Sequence, residues 1–104
     1  MSSSSAVPYE VVRSEVTRDQ LKVWGKIAKE RGRLAEYTAA LRIVEYRLQY
    51  EPLEWGDPLY DLPNLGLVMY RGIWKFLSVL YCVRDDKKLV LVSTYRLLDN
   101  NPIE

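Results

Sequence analysis

The chain has 104 residues with fifteen basic and fourteen acidic side chains, and a net charge of +1 argues for no polyanionic partner by itself. Hydrophobic residues make up 48% and three are tryptophan, which predicts a packed globule rather than a disordered chain. Histidine is absent and cysteine occurs once, at Cys82, which excludes histidine triads, histidine or thiolate metal sites and an internal disulfide.

Along the chain, residues 1–8 (MSSSSAVP) read as a flexible N-terminal tail and 9–104 as a single domain. The lead-in has neither a basic region nor an apolar run, so it does not read as a signal peptide. Tyr9 to Val16 is short and β-branched and predicts a first strand. Thr17 with Gln20 three residues on resembles a capping box and predicts the start of a helix, in which Leu21, Trp24, Ile27 and Ala28 recur at helical spacing up to Gly32. Leu34, Tyr37, Leu41, Val44 and Leu48 then form one apolar stripe, the clearest helical signal in the sequence, closed by Glu51-Pro52. Two helices joined at Gly32 predict an antiparallel hairpin.

Residues 52–63 hold three prolines and predict a loop, with Leu53, Trp55, Leu59 and Leu62 tacking it onto the core. Strand-like runs follow near 66–71, 74–83 and 88–96, the first two broken at Gly72 and the last two joined at Asp85-Asp86. The expected fold is α+β, in the order β-α-α-β-β-β, with the helical hairpin packed on a mainly antiparallel twisted sheet. Uncharged runs such as the eight residues Phe76–Val83 fall far short of the roughly 20 needed to span a bilayer, so a soluble, cytoplasmic chain with no membrane partner is expected.

The charges are unevenly placed. Residues 51–61 hold Glu51, Glu54, Asp57 and Asp61 and no cation, a pattern of a solvated loop. Residues 66–96 hold Arg71, Lys75, Arg84, Lys87, Lys88 and Arg96 against Asp85 and Asp86 only. No G-x-x-x-x-G-K-S/T or G-x-G-x-x-G phosphate loop is present, and no cofactor or metal is expected. Chemistry, if any, falls to arginine, lysine and tyrosine in the C-terminal sheet: Arg71, Lys75, Tyr95 and Arg96. Cleavage of RNA by its own 2′-hydroxyl needs a stabilised pentacoordinate phosphate, which a guanidinium fork suits, and proton transfer, which a tyrosine or lysine with a lowered pKa could supply. The plainer reading makes these cations the solubilising rim of a hairpin. Cys82, Tyr81, Trp55 and Trp74 read as packing residues.

The order of elements and three local segments resemble the RelE/ParE superfamily of bacterial toxins from type II toxin–antitoxin pairs. LQYEPLEWGDPLYDLPN is similar to the family's exit from its second helix, VMYRG to its tyrosine-arginine strand, and SVLYCVRDDKKLVLVSTYR to its closing hairpin. Residue by residue, the resemblance places Arg71 and Arg96 at two of the family's arginines, while Ser78 and Ile73 stand where further arginines are usual. Lys75 could take such a place through a one-residue bulge near Gly72. The resemblance implies a toxin with a cognate antitoxin as partner. It implies either an mRNA-cleaving ribonuclease acting at the ribosome, with Arg71, Lys75, Tyr95 and Arg96 as catalytic residues, or a non-enzymatic relative that binds a protein such as DNA gyrase. Apart from the resemblance, a small interaction domain that accepts a partner strand at its sheet edge fits the same sequence.

Overall fold

A computed structural model describes residues 7–103 of the protein. Of the expected tail, positions 1–6 lie outside the described residues. Strand β1 (Glu10–Val12) leads into helix α1 (Glu15–Glu30), α2 (Leu34–Tyr50) and the single turn α3 (Pro52–Trp55). Strands β2 (Asp57–Leu62), β3 (Leu67–Trp74), β4 (Leu77–Arg84) and β5 (Leu89–Leu97) follow, with short 3₁₀ turns at Pro63–Leu65 and Asp85–Lys87. The α+β expectation is met: the helices lie between β1 and the other four strands of one five-stranded sheet of order β1-β5-β4-β3-β2. All its pairings are antiparallel except β1 with β5.

Local chemistry accounts for the boundaries. The first helix starts earlier than the Thr17–Gln20 pattern predicts, because the Ser14 hydroxyl accepts the Thr17 N–H at 3.1 Å and so caps the helix. The first strand is therefore cut to three residues. Gly32 stops α1 in the left-handed region (φ +72°), a backbone conformation that glycine adopts without strain. On α2, Tyr37, Ala40, Val44 and Leu48 are buried along the predicted stripe, while Leu34 is exposed. The two helices meet closely at Gly25, and the Tyr37 hydroxyl donates to the Leu21 carbonyl at 2.8 Å.

Two expectations fail in the region 52–76. The loop is in fact an edge strand: β2 pairs antiparallel with β3 from Asp57 opposite Arg71 to Leu62 opposite Leu67, with an irregularity between Pro58 and Tyr60. A strand containing proline is confined to an edge, where the missing N–H faces solvent. Leu53 and Leu59 do not tack this segment onto the core but are exposed; Trp55 packs against it. The second correction concerns Gly72, which does not break a strand. It lies within β3 beneath the Trp55 ring, where any Cβ would overlap the indole. The turn falls instead at Lys75 (φ +55°) and Phe76.

The core forms between the helices and one face of the sheet. Val79, Tyr81, Val90 and Tyr95 from β4 and β5 pack against Ala28, Tyr37, Val44 and Leu48, each apolar side chain contributing about 1.5–3 kcal/mol on burial. Tyr81 is fully buried, stacked between Trp55 and Tyr70, and its hydroxyl donates to the Pro52 carbonyl at 2.6 Å. The N-terminal segment is held at the far end by Tyr9, whose hydroxyl bonds Asp85 while Lys88 lies 4.8 Å over its ring. No helix among the described residues is long and apolar enough to cross a membrane.

Candidate functional site

The helices cover one face of the sheet and leave the other open. Strand alternation decides which side chains reach the open face: residues two apart share a side, and cross-strand partners share it too. Arg71 is opposite Leu80, Ile73 opposite Ser78, and Ser78 opposite Arg96. These residues accordingly stand together. Arg71, Ile73, Ser78, Leu80, Arg96 and Leu98 line a groove of about 150 Å³ that straddles β4. The lining residues fall in pairs at i and i+2: 71 and 73 on β3, 78 and 80 on β4, and 96 on β5 with 98 just past its end.

The groove's character is cationic over an apolar floor. Arg71 and Arg96 stand on β3 and β5, two strand spacings or about 10 Å apart at the backbone, within reach of one anion held between them. Among the described residues neither forms an ion pair within the chain. Arginine stays charged at any physiological pH and forks onto phosphate oxygens. Ser78, only 5% exposed, sets a hydroxyl at the floor, and Ile73 is half-exposed on the rim. The groove is smaller than the pockets that enclose a whole drug-sized ligand. Asp57 lies at the start of β2 opposite Arg71 and trims the positive field on that side.

Of the four expected catalytic residues, two converge and two do not. Tyr95 precedes Arg96 in an extended strand and so points to the opposite face, into the core. It is 2% exposed, burial pushes its pKa up, and its hydroxyl accepts a hydrogen bond from Arg13 Nε at 3.0 Å. Arg13 in turn pairs with Glu45 of α2, so Tyr95 belongs to a strut joining the strand–helix junction, α2 and β5. Lys75 sits at the β3–β4 turn beside Glu36 and Trp74, on the side where α2 packs. The bulge near Gly72 that would bring it into register is absent: β3 and β4 pair continuously from Met69 to Trp74. The sheet's irregularities lie at Pro58/Tyr60 and Leu80/Tyr81.

Sequence reasoning missed Leu80 and Leu98 as groove residues, while Ser78 and Ile73 entered it only as positions where the resemblance expects arginines. The signal that could have found them was the shared i, i+2 spacing around each arginine, once the β3–β4 turn is placed at Lys75. The carboxylates of residues 51–61 form no metal-binding group, and no cluster of three or more histidine, cysteine, aspartate or glutamate residues occurs among the described residues. Cys82 is buried as expected, its sulfur 3.8 Å from that of Met69, and burial raises the thiol pKa.

No protein-family model and no curated protein matches the sequence. A solved structure does. A chain of the toxin–antitoxin complex RelBE2 from Mycobacterium tuberculosis superposes with a TM-score of 0.61 at 21% identity, over 88% of this chain and 92% of that one. The likeness thus extends over almost the whole length of both, and this chain shares the fold of a chain of that complex.

Proposed function

We propose that the protein is the toxin of a type II toxin–antitoxin pair and that its open-face groove engages a backbone phosphate of RNA, with messenger RNA at the ribosome as substrate. The observation that carries this reading is the convergence of Arg71 and Arg96 on one groove, in a fold shared with a chain of a toxin–antitoxin complex. Ser78 and Ile73, the positions where the family resemblance expects further arginines, line that same groove, which supports the alignment of the two sites. In cleavage, the 2′-oxygen attacks phosphorus, the 5′-oxygen leaves, and a cyclic phosphate forms. Arg71 and Arg96 would stabilise the charge that develops on the equatorial oxygens, a contribution of roughly 100-fold or more per preorganised donor. A cognate antitoxin is the partner this reading requires.

A second reading has its own support. The groove contains no histidine, carboxylate, lysine or tyrosine to move protons, and Lys75 and Tyr95 lie elsewhere. A toxin of this fold acting by binding a protein such as DNA gyrase needs no such group.

One experiment separates the readings: induced expression of the wild-type chain beside an Arg71→Ala/Arg96→Ala variant of unchanged fold, with growth and transcript ends followed together. Growth arrest with new transcript ends, both lost in the variant, is the expected result. Arrest without cleavage moves the target to a protein. Absence of arrest from folded wild-type protein overturns the toxin assignment.

A further inference from the structure

Strand β4 carries a serine in an otherwise apolar setting. The alternation of Leu77-Ser78-Val79-Leu80-Tyr81 puts Ser78 and Leu80 on the face that the helices leave uncovered. Ser78 is 5% exposed and lines the groove between the two arginines. Its hydroxyl has no hydrogen-bond partner among the described residues. Burying a hydroxyl unpaired costs free energy that alanine at the same place would not incur. A serine that only filled space would thus be the poorer choice, and a ligand that accepts its proton reverses that balance.

The strand register fixes where such a ligand lies. Arg96 is directly opposite Ser78, which puts their Cβ atoms about 5 Å apart. Arg71, opposite Leu80, is the diagonal neighbour of Ser78 at roughly 7–8 Å. An anion that reaches both guanidiniums therefore passes over β4, where Ser78 and Leu80 line the groove. Of these two side chains only the serine can donate. Three donors then stand on three adjacent strands: Arg71 on β3, Ser78 on β4 and Arg96 on β5. Two guanidinium forks from the sides and one hydroxyl from the floor suit the spread of a tetrahedral oxyanion. A flat carboxylate has only two oxygens, which the two arginines satisfy by themselves.

We propose that the Ser78 hydroxyl is the third donor of this groove, bonding a non-bridging oxygen of a phosphate diester held between Arg71 and Arg96. The inference rests on the reading of the groove as a phosphate site, and it adds the side chain that positions the phosphate. Ser78 keeps its proton throughout, so the role is one of binding and is the same whether or not the bound strand is cut.

Chemical-shift titration of the full-length chain with a dinucleoside monophosphate methylated at its 2′-oxygen tests it. This probe has one phosphate and no hydroxyl with which to cleave itself. Its two phosphorothioate diastereomers each replace one non-bridging oxygen by sulfur, a poor hydrogen-bond acceptor. The wild-type chain is expected to bind the oxygen probe, to lose it in an Arg71→Ala/Arg96→Ala variant, and to bind one diastereomer several-fold more weakly than the other. Ser78→Ala, at an unchanged thermal midpoint, should raise the dissociation constant about tenfold, the lower end for a hydrogen bond to a charged group. It should also close the gap between the diastereomers, which loss of a merely structural serine would leave in place. A Ser78→Ala chain that binds like wild type, or that keeps the whole gap while the arginines stay essential, overturns this inference and leaves the phosphate reading standing. Equal binding of both diastereomers by the wild-type chain overturns it without any variant. A wild-type chain that binds no probe, or binds it without need of the two arginines, overturns both.

Discussion

Tyr95 and Arg96 are consecutive in the sequence yet serve different parts of the molecule. The half-turn per residue of an extended strand sends the phenol into the core and the guanidinium to the open groove. Their substitutions should therefore separate. Tyr95→Phe deletes the hydroxyl that accepts from Arg13, a bond to a charged donor worth about 1.5–3 kcal/mol. It should lower the urea midpoint while growth arrest persists; arrest abolished at unchanged stability would instead restore Tyr95 to the reacting set. Gly72 shows the same dependence on surroundings. Its backbone is ordinary strand, and glycine is required only because the Trp55 ring lies against it. Gly72→Ala is expected to cost about 1–3 kcal/mol through overpacking, readable by urea denaturation. A neutral result would mean that Trp55 shifts freely.

At the scale of elements, both ends of α1 have a named cause, and each departure from expectation has one too. The Ser14 hydroxyl satisfies the Thr17 N–H and fixes where α1 begins. Ser14→Ala should destabilise the fold by about 1 kcal/mol, seen as a fall of a few degrees in the thermal midpoint, whereas Thr17→Ala, three residues inside the helix, removes no cap acceptor. β2 escaped sequence reading because its proline and acidic residues are poor strand formers by themselves; pairing with β3 decides the matter. The turn between β3 and β4 was equally hidden. Lys75 takes a left-handed conformation that glycine would have announced, while the nearby Gly72 serves packing instead. Misplacing that turn by three residues is what made Lys75 look like a neighbour of Arg71.

Taken whole, the molecule builds its buried core on one side of the sheet, and three tyrosines join that core with their hydroxyls hydrogen-bonded: Tyr37, Tyr81 and Tyr95. Burial is the main cause that raises the pKa of each. In the unfolded chain they ionise near pH 10. The folded state keeps its proton to higher pH, so its stability is fully present below pH 10 and is lost as pH rises above it. Urea midpoints measured from pH 8 to about 11.5 should hold level and then fall, and Tyr81→Phe should reduce the fall. A level midpoint over the whole range would show that these phenols ionise freely in place.

The sequence by itself determined the fold class, the helical hairpin, the stripe on α2 and the two arginines, because each rests on local periodicity or on a residue type that few others replace. It determined exclusions just as firmly, since a chain without histidine and with one cysteine cannot build the sites those residues make. Only the tertiary structure decided that Arg71 and Arg96 share a groove, that Tyr95 and Lys75 do not join them, and that residues 57–62 close the sheet as its edge. The physical reason is the two-residue period of the strand. Which face a side chain takes depends on the register and on the exact place of each turn, and an error of one residue there exchanges core for surface.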